Sequence, residues 1–134
     1  MTLDTGVSEP RPIGVLIVDD DPLVRTLLAE MVRRESDIAI LGCATDGLDA
    51  VAKAAELRPN VILMDLAMPE MDGVEATRQL RERHTLAHIP IFVMSAYATA
   101  DVKQDAMAAG CAEVFPKPLE IETLLGKIRE RLGA

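Results

Sequence analysis

Val15-Leu16-Ile17-Val18-Asp19-Asp20-Asp21-Pro22 decides the fold. An apolar run with no polar interruption has the composition of a strand covered on both faces, and such strands belong to parallel sheets. An aspartate followed by proline suits the cap and first turn of a helix. The stretch therefore reads as strand, turn, helix. Two further runs share the plan: Val61-Ile62-Leu63-Met64-Asp65 and Ile91-Phe92-Val93-Met94-Ser95. Ligands of open parallel sheets bind at the carboxyl ends of the strands. Carboxylates gathered there repel one another unless a cation joins them. The pattern asks for a divalent metal and an anion in one site.

Working outward, short apolar runs alternate with amphipathic stretches along the whole chain. The pattern predicts strands over 13–18, 38–43, 61–64, 91–94 and 113–115. It predicts helices over 22–34, 48–57, 73–83, 99–109 and 120–132. Val24, Leu27, Leu28, Met31 and Val32 recur at helical spacing on the first helix, and Ile121, Leu124, Leu125, Ile128 and Leu132 on the last. Arg58-Pro59 stops the second helix and Gly110 ends the fourth. Five β-α units in a row imply an α/β fold, a doubly wound parallel sheet with helices on both faces.

Composition narrows the function. The 134 residues make one domain, and 49% are hydrophobic, but only 2% are aromatic. The core must be aliphatic, and the low aromatic content argues against base-stacking platforms for nucleic acid. The net charge of −8 argues against binding a phosphate backbone. Cys43 and Cys111 lack metal-ligand spacing; Cys43 reads as a buried small hydrophobe and Cys111, after Gly110, as partly exposed. No segment approaches ~20 consecutive apolar residues, so no membrane span is expected. Residues 1–12 are polar, without the apolar core of a signal peptide. They read as a loose tail ahead of a domain over 13–132, with a cytoplasmic location. Nothing beyond the last helix reads as an output domain.

Chemistry concentrates at the strand ends. Asp21 is the natural cap, which leaves Asp19 and Asp20 as paired acids. Mg²⁺ takes oxygen ligands at ~2.1 Å, commonly one or two carboxylates with phosphate oxygens and water. Asp65 cannot cap a helix that begins only near Gly73; Asp72 is better placed for that. Asp65 is thus left facing the acidic pair, and a carboxylate there can attack phosphorus to form an aspartyl phosphate. Ser95 offers a hydroxyl to a phosphoryl oxygen. Lys117, between Pro116 and Pro118, offers an ammonium that loses little freedom on reaching inward.

Taken in order, Asp19-Asp20, Asp65 through Gly73, Ser95-Ala96 and Lys117-Pro118 resemble the receiver domain of two-component response regulators, of the stand-alone chemotaxis-regulator type. The resemblance covers about residues 13–132. It implies a five-stranded flavodoxin-like (βα)5 sheet in the order 2-1-3-4-5. It implies Asp65 as phosphoacceptor, with Mg²⁺ (or Mn²⁺ in its place) held by Asp20, Asp65 and the backbone carbonyl of Ala67, and by Asp19 through water. Ser95 and Lys117 would bind the phosphoryl group, and the Lys117-Pro118 bond would be cis. The implied donor is a sensor histidine kinase or histidine phosphotransfer protein. The implied output is an unidentified effector protein reading the surface of the fourth helix, fifth strand and fifth helix, on a monomer or a phosphorylation-dependent dimer. Neither nucleic acid nor membrane is an implied partner.

This chain departs from the family pattern in places. Val114 stands where a switch aromatic is usual, and Phe115, one place later, falls on the opposite strand face. Ala67 and Tyr97 occupy positions that tune dephosphorylation; a small apolar Ala67 cannot position water, which predicts slow self-dephosphorylation. His84 and His88 lie near the end of the third helix, away from the acids. The alternative reading is a metal-dependent phosphohydrolase working through an aspartyl phosphate. Such an enzyme needs an acid-base two residues after the nucleophile, and Ala67 cannot transfer protons.

Overall fold

The computed structural model describes residues 11–68 and 71–132. Most of the expected N-terminal tail, with Pro69 and Glu70, lies outside the described residues. Five strands, β1 (Ile13–Val18), β2 (Ile38–Ala44), β3 (Val61–Asp65), β4 (Ile91–Ser95) and β5 (Glu113–Pro116), alternate with five helices. These are α1 (Pro22–Arg33), α2 (Gly47–Leu57), α3 (Gly73–Glu82), α4 (Ala100–Ala109) and α5 (Ile121–Leu132). The strands form one parallel sheet in the order β2-β1-β3-β4-β5.

The unbroken apolar runs have a simple cause. Successive side chains of a strand point to opposite faces, and here both faces are covered. Leu16, Val18, Ile62, Met64, Ile91 and Val93 pack in one core with residues of α2, α3 and α4. Their neighbours Val15, Ile17, Val61, Leu63, Phe92 and Met94 pack in a second core with residues of α1 and α5. Phe115 joins that second core, its ring 5.4 Å from that of Phe92, while Val114 faces the first.

Side-chain caps set the helix starts. Asp21, Asp46, Asp72 and Thr99 accept from the backbone N–H groups of Leu23, Asp49, Glu75 and Val102. Gly110 ends α4 with φ of 112°, a left-handed conformation that glycine adopts without cost. Arg81 fastens the same corner. Its guanidinium donates to the carbonyls of Gly110, Ala87 and Ile89 at 2.8–2.9 Å.

Several expectations need correction. β2, β3, β4 and β5 each run one residue further than expected, so Asp65 and Ser95 are the last rungs of their strands. The slanted ladder continues through them: Leu66 N–H donates to Met94 O, and Lys117 N–H to Ser95 O. On α1 only Leu28, Ala29 and Val32 are buried; Leu27 and Met31 are exposed, together with Leu23. These three form an i, i+4 row on a neighbouring face that the sheet does not reach. Ile121 and Leu132 of α5 are only half-buried. Cys111 is buried, because its backbone closes onto Ala106 O and its thiol contacts Met107. Cys43, on edge strand β2, is half-exposed.

Candidate functional site

The carboxyl ends of β1, β3, β4 and β5 bring Asp19, Asp65, Ser95 and Lys117 together. Asp19 is 1% exposed, Ser95 5% and Asp65 6%. Lys117 Nζ lies 2.9 Å from Asp65 Oδ1 and 3.4 Å from Asp19 Oδ2. Asp19 Oδ1 accepts from the Asp21 backbone N–H at 2.9 Å, which fixes that carboxylate's rotation. Asp20 is exposed on the rim. Carboxylate oxygens of Asp19, Asp20 and Asp65 all lie within 4.8 Å of one another. Asp65 Oδ2 accepts no hydrogen bond among the described residues. The Lys117-Pro118 peptide is cis.

Burial pushes the Asp65 carboxyl above its ordinary pKa, and the charges of Asp19 and Asp20 push it the same way. The hydrogen bond from Lys117 opposes them and only partly offsets them. Burial acts to lower the Lys117 pKa, but its bonds to Asp65 and Asp19 outweigh that and hold it above the ordinary lysine value. The lysine thus stays cationic while the cluster still holds excess negative charge. That is the electrostatic condition for a divalent cation.

The donor set fits such an ion. Two oxygens on one Mg²⁺ at ~2.1 Å are at most ~4.2 Å apart, so a set already within 4.8 Å needs only a small side-chain adjustment to close on one ion. All the ligating atoms are hard oxygens, which suits Mg²⁺ rather than a softer metal. Ala67, on the exposed loop after β3, lines the cleft beside them.

Two supports carry no chemistry themselves. The first is Gly73 at the start of α3. A Cβ there would sit 2.7 Å from the Asp65 carbonyl oxygen and 2.9 Å from Leu66 Cα. Only a glycine lets α3 press against the loop that carries Asp65; its N–H donates to Leu66 O at 2.8 Å. The second, which the sequence reading missed, is Arg25. Its Nη1 donates to the Asp19 backbone carbonyl, 2.6 Å away, tying α1 to the end of β1. No motif marks it; only its spacing from Asp19 across the helix cap could have pointed there.

Ser95 is not idle. Its Oγ accepts the Tyr97 backbone N–H at 3.1 Å, while the Tyr97 side chain is 79% exposed. Ser95, Tyr97, Val102, Ala67, Asp65 and Lys117 line a cleft of about 250 Å³ over the acidic cluster. Tyr97 therefore borders the cleft without closing it. His84 and His88 lie elsewhere, in a separate cleft that includes Asn60 and Pro90 at the amino ends of β3 and β4.

Comparison with known proteins bears on the fold as a whole. The family model described as the response regulator receiver domain matches residues 15–129. A protein-glutamate methylesterase/protein-glutamine glutaminase of Nocardioides sp. is 35% identical over 123 residues, covering 90% of this chain and 34% of that protein. The chain spans about a third of the length of such curated relatives. Among solved structures, the response regulator domain of Thermotoga maritima CheB superposes with a TM-score of 0.82 at 32% identity, covering 92% of this chain and 98% of that one. The receiver domain of sensor histidine kinase PA1611 from Pseudomonas aeruginosa has a TM-score of 0.82 at 28% identity, covering 92% and 99%, and carries a magnesium ion in its active-site cleft.

Proposed function

This chain belongs to the response regulator receiver domain family, and on that premise we propose how its residues run a phosphorylation-dependent switch. Asp65 is the phosphoacceptor. The observation that carries this is its setting: a nearly buried carboxylate at the end of central strand β3, with Oδ1 held by Lys117 and Oδ2 turned to neither cap nor ladder. Oδ2 attacks the phosphorus of a phosphohistidine on the donor. A P–O bond forms, the P–N bond breaks, and the released imidazole takes up a proton. Asp20, Asp65 and the Ala67 carbonyl, with Asp19 through water, would hold Mg²⁺, for which Mn²⁺ would substitute. The metal, when bound, neutralises phosphoryl oxygens.

Lys117 then exchanges its carboxylate partner for a phosphoryl oxygen, a stronger charge-assisted contact. Ser95 turns its hydroxyl toward the same group. That turn gives up the Tyr97 N–H, which loosens the loop leading to the Thr99 cap of α4. With Val114 in place of an aromatic, the signal reaches α4, β5 and α5 through this loop. The phosphate biases two arrangements already accessible to the domain.

The donor, a histidine kinase or phosphotransfer protein, meets the domain over α1. Leu27 and Met31 of the exposed row line an apolar groove of about 240 Å³ that Lys117, Pro118 and Leu119 complete. That groove adjoins the residue that holds Asp65, so a helix seated there delivers its histidine to the cleft. Family membership gives no support to the phosphohydrolase alternative. Ala67 supplies no acid-base group over the cleft, and the domain catalyses only its own phosphorylation and slow dephosphorylation.

Acetyl phosphate with Mg²⁺ tests the proposal directly. Intact mass should show one persistent phosphoryl adduct that EDTA prevents and Asp65→Asn abolishes. An adduct surviving in Asp65→Asn, or steady phosphate release without an adduct, would overturn it.

A further inference from the structure

A sizeable cleft lies at the end of the domain opposite the acidic cluster, and nothing in the switch uses it. It encloses about 760 Å³, within the range of small-molecule sites. Its polar wall is Arg58, His84, His88 and Arg131, and none of its lining residues is acidic. In a chain with 22 acidic and 14 basic residues, an acid-free cleft of this size is not the ordinary surface. Arg11 extends the positive surface into an adjoining hollow that shares Arg58.

Arg58 is unusual in its own backbone. It ends α2 with φ of 50°, the one left-handed non-glycine among the described residues. Glycine or asparagine ordinarily fills that place. No carboxylate pairs with its guanidinium among the described residues, and Arg131 reaches Glu113 only at 4.0 Å. Two guanidiniums with little carboxylate company, facing one cleft, are suited to bidentate recognition of phosphate oxygens. Asn60 and Thr85 add two neutral polar groups, and the rest of the lining is apolar: half-buried Pro90 and Leu132 with buried Pro59 and Ile89. Pro90 and Leu132, which keep some exposure, give a ring an apolar side beside the imidazoles of His84 and His88.

We propose that this cleft binds a nucleoside phosphate, with Arg58 and Arg131 on the phosphates and the ring against Pro90 and Leu132. The proposal is independent of Asp65 and its phosphorylation. Titration of the whole chain with ADP in Mg²⁺-free buffer, followed by amide NMR shifts, tests it. Saturable shifts are expected at Arg58, Asn60, Thr85, His88 and Arg131, with none at Asp19, Asp65 or Lys117. Arg58→Gly retains the backbone conformation and removes only the side chain. It should weaken ADP by about tenfold, as loss of a charged phosphate contact does. Arg131→Gln should do likewise, and both variants should accept phosphate from acetyl phosphate as the parent does. Shifts centred on the acidic end, or binding untouched by both substitutions, would overturn the site. Pyrophosphate binding as tightly as ADP would overturn the role of the apolar side. A clear preference for an oligoglutamate peptide would show that the cleft takes an acidic protein segment instead.

Discussion

Asp65→Asn should stabilise the metal-free protein. In the structure Asp65 has one favourable neighbour, Lys117 at 2.9 Å, and two unfavourable ones, Asp19 and Asp20, with oxygens within 4.8 Å. At an effective dielectric constant near 20, the attraction is worth about 6 kcal/mol and each repulsion about 3.5. These nearly cancel, so the cost of burying the charge decides the sign, in agreement with the raised Asp65 pKa. Asparagine keeps an acceptor for Lys117 and removes the charge. The expected gain is about 1–3 kcal/mol at pH 7, or roughly 4–10 °C in Tm for a domain of this size.

The sign with pH follows. A raised folded-state pKa means that stability is greatest below the unfolded value, 3.8, and falls as pH rises through the folded one. The variant's advantage should therefore appear above that window and vanish in acid. Metal reverses the order. Mg²⁺ at a hundred times its Kd should add about 2.7 kcal/mol to the parent and much less to the variant. Thermal melts in EDTA and in Mg²⁺, between pH 3 and 8, measure all of this. A variant less stable than the parent in EDTA at pH 7 would refute the reasoning, because it would mean that Lys117 more than compensates the buried charge.

Other perturbations probe the remaining parts. Lys117→Met should destabilise the metal-free protein by about 1–3 kcal/mol, since a buried acid pair loses its counter-charge, yet bind Mg²⁺ more tightly by calorimetry. Gly73→Ala forces a Cβ into the Asp65 carbonyl; it should cost about 1–3 kcal/mol in denaturant melts and slow phosphorylation measured by intact mass. Ser95→Ala should leave adduct formation largely intact but raise amide exchange at Tyr97–Thr99 to the same level with and without phosphate. Ala67→Glu places a carboxylate over the cleft and should shorten the lifetime of the adduct.

How much was legible in the sequence depended on the range of the forces involved. Local patterns marked every strand and helix, because burial on both faces of β1, β3 and β4 leaves no polar residue inside the runs. Asp21, Asp72 and Gly110 announced their caps, since capping is decided within a turn. Asp19, Asp20, Asp65, Ser95 and Lys117 were legible as a group because the parallel topology forces strand ends together. Contacts set by tertiary packing were not legible. The exposure of Leu27 and Met31 depends on how far the sheet extends beneath α1. The burial of Cys111 depends on Arg81 and α4. Arg129 pairs with Glu35 and Asp37 across the fold, with no local signal at either end.

Arg81 and Gly110 give α4 a fulcrum. Arg81 is braced on the carbonyls of Ala87 and Ile89, and its bond to Gly110 O, at a glycine too close to it for any side chain, holds the carboxyl end of that helix. Along its length only Ala106 and Ala109 are buried, both near that end. The amino end hangs on the Thr99 cap and the Ser95–Tyr97 bond. A ten-residue helix is about 15 Å long, so a 2 Å shift at Thr99 swings it by only about 8° while its far end stays put. The helix is a lever with its stroke at the phosphate end, and exposed residues at its amino end, Ala100 and Asp101, travel farthest.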